Sequence, residues 1–468
     1  NRCLLETMPI VAGVDSSTQS VKVVLRDADS GELVASTSRP HPDGSEVNPQ
    51  HWWKALSEAL DELSSHKISA ISIAGQQHGM IALDKDGAVI RDALLWNDTR
   101  SDKAAEDLNR EIPDIALRTG SQLVASFTAS KVRWLADNEK ANANRVAAIA
   151  LPHDWLSWKL SGAKSIDTLF TDRSDASGTG YFDSRKNEYC LDILATAIRT
   201  NQEIILPKII APNQFGATST NSIPIAAGAG DNAGAALGLG ASLGDLVISL
   251  GTSGTAFAIS KSSTHDSSGE VAGFADATGN FLPLACTLNA AKIFNTVAKS
   301  LSLSFEEFSS LALSAKAGAD GLRMIPHFDG ERTPNKPSAK GSFYGITHSN
   351  FTKENIARAS IEGVIAGMIY AAKAVERQGV SYSRILLIGG AAKNSAVQQI
   401  AADLFGRTIH IPPIGEYVAD GAAKQAAWAL SGKDEVPSWS LGEVKEISPK
   451  ARIDGVIDSY FELISLSR

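Results

Sequence analysis

Apolar and polar positions at the start of the chain follow the pattern of β-strands. Residues 10–25 contain an apolar run that a Ser/Thr-rich turn interrupts and that resumes as VKVVL, and ELVAS (32–36) follows a second turn. Short apolar runs bounded by turn residues are typical of strands. The chain is therefore predicted to open with three successive strands joined by tight turns.

The pattern then changes to the period of a helix. Asn48 is of a type that caps helices, Pro49 suits the first helical position, and the apolar positions between residues 52 and 63 share one face. Buried strands are predicted at 68–75 and 93–98, and another helix follows. Strands that alternate with helices predict an α/β domain.

The same order of elements begins again in the second half. The segment 246–260 is predicted as strand, Ser/Thr/Gly turn and strand, and a long helix is predicted at 353–378. RILLIGG (384–390) is predicted as a buried strand, with a helix at 394–406. The chain thus contains two halves that each open with a hairpin.

The length of the chain fits this division. A chain of 468 residues is too long for one ordinary hydrophobic core. We expect an N-terminal domain at 8–240 and a C-terminal domain at 241–468. Residues 1–7 precede the first strand-like sequence and are interpreted as a leader outside the fold.

Charge and composition narrow the class of protein. Lys and Arg total 44 against 52 for Asp and Glu, and the net charge of -8 argues against nucleic acid as the main partner. The sequence contains no apolar run long enough to span a bilayer. Its three cysteines lack the spacing of a metal or redox site, which is typical of cytosolic proteins. We expect a cytoplasmic protein that binds neither nucleic acid nor a membrane.

Two turns are candidate phosphate sites, because a phosphate needs converging N–H groups or hydroxyl groups. DSST (15–18) and GTSGT (251–255) both offer such groups at predicted hairpin turns. Either turn alone is better explained as an ordinary hairpin turn. Two similar turns, one in each half, favour a triphosphate held by both. Asp15 adds a carboxylate that suits Mg²⁺, either directly or through water.

Two other segments are rich in small residues. LIGGAAKN (387–394) would let a flat ring or a phosphate approach its backbone, although close packing of helix and strand also explains the glycines. The P-loop pattern is absent, and no GxGxxG follows the first strand, which argues against a dinucleotide site of the usual kind. The segment 226–241 contains a single acid, Asp231, which is either a helix cap or a functional carboxylate.

Five segments, in order, resemble the FGGY carbohydrate kinases, over essentially the whole chain from Met8 onward. They correspond to the first phosphate hairpin, the N-terminal signature, the second phosphate hairpin, the C-terminal signature and the adenosine loop: GVDSSTQSVKVVL (13–25), SFTASKVRWLADN (126–138), LGTSGT (250–255), GSFYGITHSNFTKENIARASIE (341–362) and LIGGAAKN (387–394). Five ordered matches are more specific than any one. Within the family, three segments are similar to those of xylulose kinases: AGQQHGM (74–80), LLWNDTRS (94–101) and SDASGT (174–179).

The resemblance implies a fold and an activity. It implies the duplicated actin-like, ribonuclease-H-like fold of the ASKHA superfamily, with a ligand cleft between two α/β domains, and suggests a homodimer. The implied reaction transfers the γ-phosphoryl group of ATP to the 5-hydroxyl of D-xylulose, with Mg-ATP bound between the domains. Asp231 matches the general base, and Asp15 would hold Mg²⁺ through water. The ATP contacts implied by the resemblance are Thr18, Gly251, Thr252, Ser253, Gly389, Gly390 and Asn394.

The resemblance also implies a sugar site. A polyol offers many hydroxyl groups, so its site needs amides, an imidazole and carboxylates. The polar QQH that follows the strand at 68–75 would be poor core sequence, which favours sugar contact. The alternatives are a structural histidine at 78 and a packing cluster at 96–98. The sugar contacts implied by the resemblance are Gln77, His78, Trp96, Asn97, Asp98, Asp231 and Asn232.

Two departures from the family pattern affect the nucleotide contacts, and two other functions stay open. Ser17 and Ala391 stand where many relatives have glycine.

The first alternative function is a kinase for another ketose or polyol, such as ribulose, xylitol or gluconate. The second is an actin-like protein that senses sugar or ATP without catalysis.

Overall fold

The computed structural model describes residues 8–466 except residues 201, 452 and 454. The leader predicted at 1–7 lies outside the described residues. The strands, in chain order, are β1 (Ile10–Ser16), β2 (Ser20–Asp27), β3 (Leu33–Pro40), β4 (Glu46–Val47), β5 (Ile68–Gly75), β6 (Ile81–Leu83), β7 (Ala93–Leu94), β8 (Ala148–Ala150), β9 (Phe170–Thr171), β10 (Phe182–Asp183), β11 (Glu188–Tyr189), β12 (Lys208–Ile209), β13 (Phe215–Thr218), β14 (Pro224–Ala226), β15 (Ala229–Gly230), β16 (Asp245–Leu250), β17 (Gly254–Ala258), β18 (Ala272–Ala275), β19 (Phe281–Thr287), β20 (Arg323–Ile325), β21 (Ser342–Tyr344), β22 (Arg384–Ile388), β23 (Ile409–Ile411) and β24 (Lys445–Ile447).

Helices connect these strands. The α-helices are α1 (Pro49–Glu62), α2 (Asp102–Glu111), α3 (Ile115–Thr119), α4 (Thr128–Asn138), α5 (Lys140–Ala143), α6 (Pro152–Ser161), α7 (Arg173–Ala176), α8 (Leu191–Ile198), α9 (Asp231–Leu239), α10 (Ala291–Ser300), α11 (Phe305–Ser314), α12 (Lys353–Arg377), α13 (Ser395–Phe405), α14 (Tyr417–Ser431) and α15 (Val456–Leu466). Short 3₁₀ helices lie at Ile166–Thr168, Ala319–Gly321 and Gly390–Lys393. Among the described residues, no helix is both long and apolar enough to cross a membrane.

The chain forms two compact units. Unit 1 extends to Ala241 and also contains Gly273–Phe281 and Gly415–Ser440. Unit 2 contains the remaining segments, Ser242–Ala272, Leu282–Ile414 and the chain from Leu441 onward. Unit 1 thus takes in two segments from the second half of the sequence, and the division near residue 240 stays a sequence-based prediction.

A mixed sheet forms the centre of unit 1. Its strands run in the order β13-β14-β5-β1-β2-β3. β1 is antiparallel to β2 and parallel to β5, and β14 is also parallel to β5. One core of this unit includes Trp52, Leu56 and Trp155, while alanines of α14 pack against Val11 and Val24. Gly13 is required there, because a Cβ on it would lie 2.0 Å from the carbonyl oxygen of Ala419.

The sheet of unit 2 repeats this plan. Its strands include the series β19-β17-β16-β22-β23-β24. β16 is antiparallel to β17 and parallel to β22, and β22 is parallel to β23. β17 is antiparallel to β19, just as β2 is antiparallel to β3. The two halves therefore share one order of strand directions, as expected of a duplicated fold.

Most of the long predicted elements are confirmed. The side chain of Asn48 caps α1 and accepts a hydrogen bond from the N–H of Gln50 at 2.9 Å. The predicted strand at 93–98 is wrong beyond Leu94. The chain turns there because the carboxylate of Asp98 accepts hydrogen bonds from the backbone N–H and the side chain of Arg100.

Candidate active site

Three strands of unit 1 end at one edge of its sheet. Ser16 of β1 lies opposite Gly75 of β5, and Gly75 lies opposite Gly230 of β15, all in parallel pairing. Parallel strands present their carboxyl ends at the same edge, where ligands of α/β sheets commonly bind. Asp15 precedes the end of β1 and Asp231 follows the end of β15 directly. The structure therefore brings the two predicted catalytic carboxylates to one edge.

Asp231 is the first residue of α9. Gly230 occupies the N-cap position, and Asp231 follows it in the first turn of the helix. The side chain of Asp231 is half-buried, and its Oδ1 accepts hydrogen bonds from the N–H of Asn232 at 2.8 Å and from its Nδ2 at 3.1 Å. Asn232 thus fixes the carboxylate through both its backbone and its amide.

The pKa values of the two carboxyl groups are shifted toward neutral pH. Burial raises the pKa of Asp231 to about 7, and the charge of Asp15 adds to this while the N–H of Asn232 opposes it. Burial also raises the pKa of Asp15 to about 6, although Ser17 Oγ donates a hydrogen bond to Asp15 Oδ1 at 2.6 Å. A carboxylate with a pKa near the working pH is suited to accept a proton.

The same pair offers oxygen ligands for a cation. Two neighbouring carboxylates repel each other, and a divalent cation close to them would remove that repulsion. Mg²⁺ takes oxygen ligands and keeps several of its waters. Asp15 and Asp231 therefore fit Mg²⁺ in the chemistry of their donor atoms.

Gln77 and His78 are held by carbonyl groups of the segment SDASGT. Gln77 Nε2 donates to the carbonyl oxygen of Ser174 at 3.4 Å, and His78 Nδ1 donates to that of Gly178 at 2.6 Å. His78 adopts a φ of 71°, which non-glycine residues rarely adopt and which is often found at functional sites. The resemblance points to the segment SDASGT, but the sequence does not predict that its carbonyl groups accept hydrogen bonds from Gln77 and His78.

Gly230 separates Gln77 from Asp231 and leaves no space for a larger residue. A Cβ on Gly230 would lie 2.7 Å from Gln77 Nε2 and 2.8 Å from its Cγ. The backbone of Gly230 has a φ of -66°, so alanine would cause no backbone strain there. Any effect of a substitution would therefore come from displacement of the Gln77 amide.

Gly230→Ala is expected to raise the KM for the sugar by about tenfold, because the added Cβ would displace the Gln77 amide and a lost hydrogen bond costs about 1.4 kcal/mol. Steady-state kinetics and the thermal midpoint measure this effect and any loss of stability. Gly367→Ala is the matched control, since nothing lies within 4 Å of a Cβ at Gly367 inside α12. Equal sugar KM values for the two variants would contradict the placement of Gln77 in the sugar site.

The predicted residues at 96–98 have different environments. Trp96 is 43% exposed and its Nε1 donates to Thr18 Oγ1 at 2.8 Å, so it lies beside the first hairpin. Asn97 is exposed and donates to the carbonyl oxygen of Gly44 at 3.4 Å. Trp96 and Asn97 thus keep surface that a ligand can reach.

Asp98 is instead buried in a local network. It accepts hydrogen bonds from Ser45 Oγ at 2.8 Å and Arg100 Nε at 2.8 Å. Burial would raise the pKa of Asp98, but Arg100 and Ser45 outweigh burial and hold the pKa below its usual value. These contacts favour the packing alternative for Asp98, and its contact with sugar stays a prediction.

The predicted nucleotide residues of unit 2 meet at the end of β16. Gly251, Thr252 and Ser253 form the turn between β16 and β17, with Thr252 and Ser253 exposed. Gly389 has a φ of 95°, and a Cβ on it would lie 2.5 Å from the carbonyl oxygen of Leu250. A Cβ on Gly390 would meet open space. The second hairpin and the adenosine loop are therefore neighbours.

Asn394 caps α13. Its Oδ1 accepts hydrogen bonds from the N–H groups of Ala396 at 2.9 Å and Val397 at 3.2 Å, and its Nδ2 donates to Ser309 Oγ. Contact between Asn394 and a nucleotide stays a prediction. The departure at Ala391 is accommodated, since this buried residue avoids the left-handed backbone region that would favour glycine.

Comparison with known proteins identifies the family. Residues 10–238 match the N-terminal domain of the FGGY family of carbohydrate kinases, and residues 246–430 match its C-terminal domain. The chain belongs to the FGGY family of carbohydrate kinases. The predicted fold is confirmed as a two-domain α/β fold of the actin-like kind, and the chain is a carbohydrate kinase.

Individual relatives resemble this kinase over nearly its whole length. A xylulose kinase of Streptomyces coelicolor is 41% identical over 444 residues, which cover 91% of this chain and 89% of the relative. A xylulose kinase of Escherichia coli is 32% identical over 442 residues, which cover 90% of each chain. The crystal structure of xylulose kinase from Bifidobacterium adolescentis has a TM-score of 0.91 at 41% identity and covers 98% of this chain and 99% of its own.

Proposed function

We propose that this carbohydrate kinase transfers the γ-phosphoryl group of ATP to the 5-hydroxyl of D-xylulose. The observation that carries the proposal is the half-buried Asp231, whose raised pKa and place at the strand edge suit a general base. The relatives described as xylulose kinases support the choice of sugar.

Asp231 accepts the proton of the attacking hydroxyl in this mechanism. The C5 oxygen forms a bond to the γ-phosphorus as its proton passes to Asp231, and the bond from the γ-phosphorus to the bridging oxygen breaks. ADP leaves with the electron pair of that bond. Phosphoryl transfer needs in-line positioning and charge neutralisation more than covalent help from the protein.

The sugar is held by hydrogen bonds from side chains around Asp231. Gln77 and Asn232 supply amides on either side of the base, and His78 supplies an imidazole. In this proposal, the exposed ring of Trp96 stacks against the carbon face of the sugar. A site built to bond hydroxyl groups discriminates strongly against sugars that lack them.

The two hairpins contact the phosphates of ATP in this proposal. Thr18 belongs to the hairpin of unit 1, and Gly251, Thr252 and Ser253 belong to the hairpin of unit 2. Gly390 faces open space that would admit adenosine, and Gly389 beside it is the other contact that the resemblance implies. Asp15 would hold Mg²⁺ through water, and the ion would supply positive charge to the phosphates. A cytoplasmic location and a homodimer stay predictions.

A substrate panel tests the proposed function. Release of ADP is measured with D-xylulose, D-ribulose, L-ribulose, xylitol, gluconate and no sugar. We expect the highest kcat/KM with D-xylulose and only background release without sugar. A higher kcat/KM for another sugar would replace D-xylulose as the substrate. Release that no sugar raises above background would contradict the kinase mechanism and favour a sensor of sugar or ATP.

A further inference from the structure

A buried histidine lies behind the strand edge that carries Asp231. His153 is the second residue of α6 and is 0% exposed. Its Nε2 lies 3.1 Å from Asp175 Oδ2, 3.3 Å from Asp172 Oδ1 and 3.4 Å from Asp154 Oδ1. All three carboxyl groups are buried as well. One imidazole therefore faces three buried acids.

The acids of this cluster favour a positive charge on the imidazole, although burial also raises the pKa of Asp154 and that of Asp175 above their usual values. Burying an unpaired carboxylate costs several kcal/mol, and removing one partner of a buried ion pair leaves that cost uncompensated. Arg173 lies next to Asp172 in sequence but donates to Asn187 Oδ1 at 2.9 Å. Burial would lower the pKa of His153, but the surrounding carboxylates outweigh burial and raise it to about 10. His153 is thus the imidazolium that these acids hold.

One acid of the cluster, Asp172, also caps the short helix α7. The carboxylate of Asp172 accepts hydrogen bonds from the N–H of Ser174 at 2.8 Å and that of Asp175 at 3.1 Å. Asp172 therefore belongs both to the charge cluster and to the capping of α7. Any shift of Asp172 would move Ser174 with it.

Ser174 connects the cluster to the reacting groups. Its Oγ accepts a hydrogen bond from the N–H of Gly230 at 3.1 Å, and its carbonyl oxygen accepts one from Gln77 Nε2 at 3.4 Å. Gly230 directly precedes Asp231. One residue thus holds both the backbone before the proposed base and an amide of the proposed sugar site.

The ring of His153 also packs against the chain that leads to Asp231. A Cβ on Gly228 would lie 2.6 Å from His153 Nδ1, and the backbone of Gly228 has a φ of 85°. The N–H of Gly228 donates a hydrogen bond to Gln425 Oε1 at 2.8 Å, and the carbonyl oxygen of Gly228 accepts one from Gln425 Nε2 at 2.7 Å. The turn before Asp231 is therefore held between His153 and Gln425.

We propose that the buried imidazolium of His153 is a positioning residue for phosphoryl transfer. By holding Asp154, Asp172 and Asp175 together, it fixes Ser174, which fixes the backbone of Asp231 and the amide of Gln77. The inference rests on the proposed role of Asp231 as the general base. His153 touches neither sugar nor ATP and acts through these other residues.

Charge, rather than the imidazole itself, is the property that the test isolates. His153→Gln removes the charge and is expected to lower kcat by about tenfold to a hundredfold, as small misplacements of reacting groups do. His153→Lys restores a cation and is expected to return kcat to within about threefold of the wild-type value. The KM for ATP is expected to stay within about twofold, because the cluster acts on the sugar side. His327→Gln is the matched control, since His327 is buried in unit 2 and burial lowers its pKa to about 4.

Further variants separate the ways in which the inference can fail. Wild-type kcat in folded His153→Gln, or equal losses in the Gln and Lys variants, would overturn the positioning role. A stoichiometric metal in the wild-type protein that His153→Gln loses would show that the histidine is a ligand and not a cation. Ser174→Ala leaves the cluster intact and is expected to lower kcat by about tenfold, and an unchanged kcat would count against the inference even if His153→Gln does not fold. Asp231→Asn is measured beside them: if it keeps wild-type kcat, the proposed base itself is wrong, whatever His153 does.

Discussion

Asp231→Asn is expected to lower kcat by about 10²–10⁴-fold, the usual contribution of a general base. Asparagine has nearly the same shape, and its side-chain oxygen can still accept the hydrogen bond that Asp231 Oδ1 receives from the N–H of Asn232 at 2.8 Å. It cannot take the proton of the sugar hydroxyl. The loss should therefore appear in kcat, while calorimetry still detects sugar binding.

Asp102→Asn is the control for this substitution. Asp102 is the first residue of α2, as Asp231 is of α9, but it is exposed and follows no strand of the central sheet directly. We expect Asp102→Asn to keep the wild-type kcat. A kcat for Asp231→Asn within about threefold of the wild-type value would contradict the role of general base.

The acid limb of the pH profile is expected to lie near pH 7. Burial raises the pKa of Asp231 to about 7, so the carboxyl group is protonated below that pH and cannot accept the hydroxyl proton. The rate at subsaturating sugar and Mg-ATP should therefore rise with pH and level off above about 7, with a tenfold fall per unit below it. A profile that stays flat from pH 5.5 to 8 would contradict the assignment.

Asp15→Asn tests the contribution that the charge of Asp15 adds to the effect of burial on the pKa of Asp231. The charge of Asp15 raises the pKa of Asp231, so its removal is expected to move the acid limb to lower pH. If Asp15 holds Mg²⁺, the variant will also have a lower maximal rate. The pH at the midpoint of the acid limb does not depend on that maximal rate, so the two effects can be measured separately. A limb that stays in place or moves to higher pH would show that the two carboxyl groups do not interact.

The sequence predicts the site best where strand ends carry polar residues. Asp15, Gln77 and Asp231 each stand at or just beyond a run of apolar residues, and parallel pairing then brings them to one edge. The two hairpins are local structures, and their turn residues indicate them. These features can be predicted from the sequence because each depends on a short stretch of chain.

The contacts that fix the site depend on distant segments. Ser174 forms hydrogen bonds with Gln77, 97 positions away in the sequence, and with Gly230, 56 positions away. Gln425 forms a hydrogen bond with Gly228, which is 197 positions away. A serine within SDASGT gives no sign of such partners. The placement of α14 in unit 1 is likewise set by its packing against β1 and could not be derived from its own apolar pattern.

Charged residues were hardest to interpret from sequence. Contact between Asp98 and the sugar stays a prediction, and its hydrogen bonds within the protein go to Ser45 and Arg100. The sequence pattern does not mark His153 as functional, because its three acidic partners become neighbours only when α6 and α7 pack together. The pairing of a charged group is a property of the folded chain, and residue type alone does not predict it.

The most direct test of the proposed reaction follows the phosphorus atom itself. D-xylulose and Mg-ATP are incubated with the wild-type enzyme and with Asp231→Asn, and ³¹P NMR records the products. The mechanism predicts ADP and an equal amount of a phosphate ester coupled to the C5 methylene protons, formed by the wild-type enzyme and at least about a hundredfold more slowly by the variant. Phosphorus that appears only as inorganic phosphate, or an ester that both proteins form at the same rate, would contradict it.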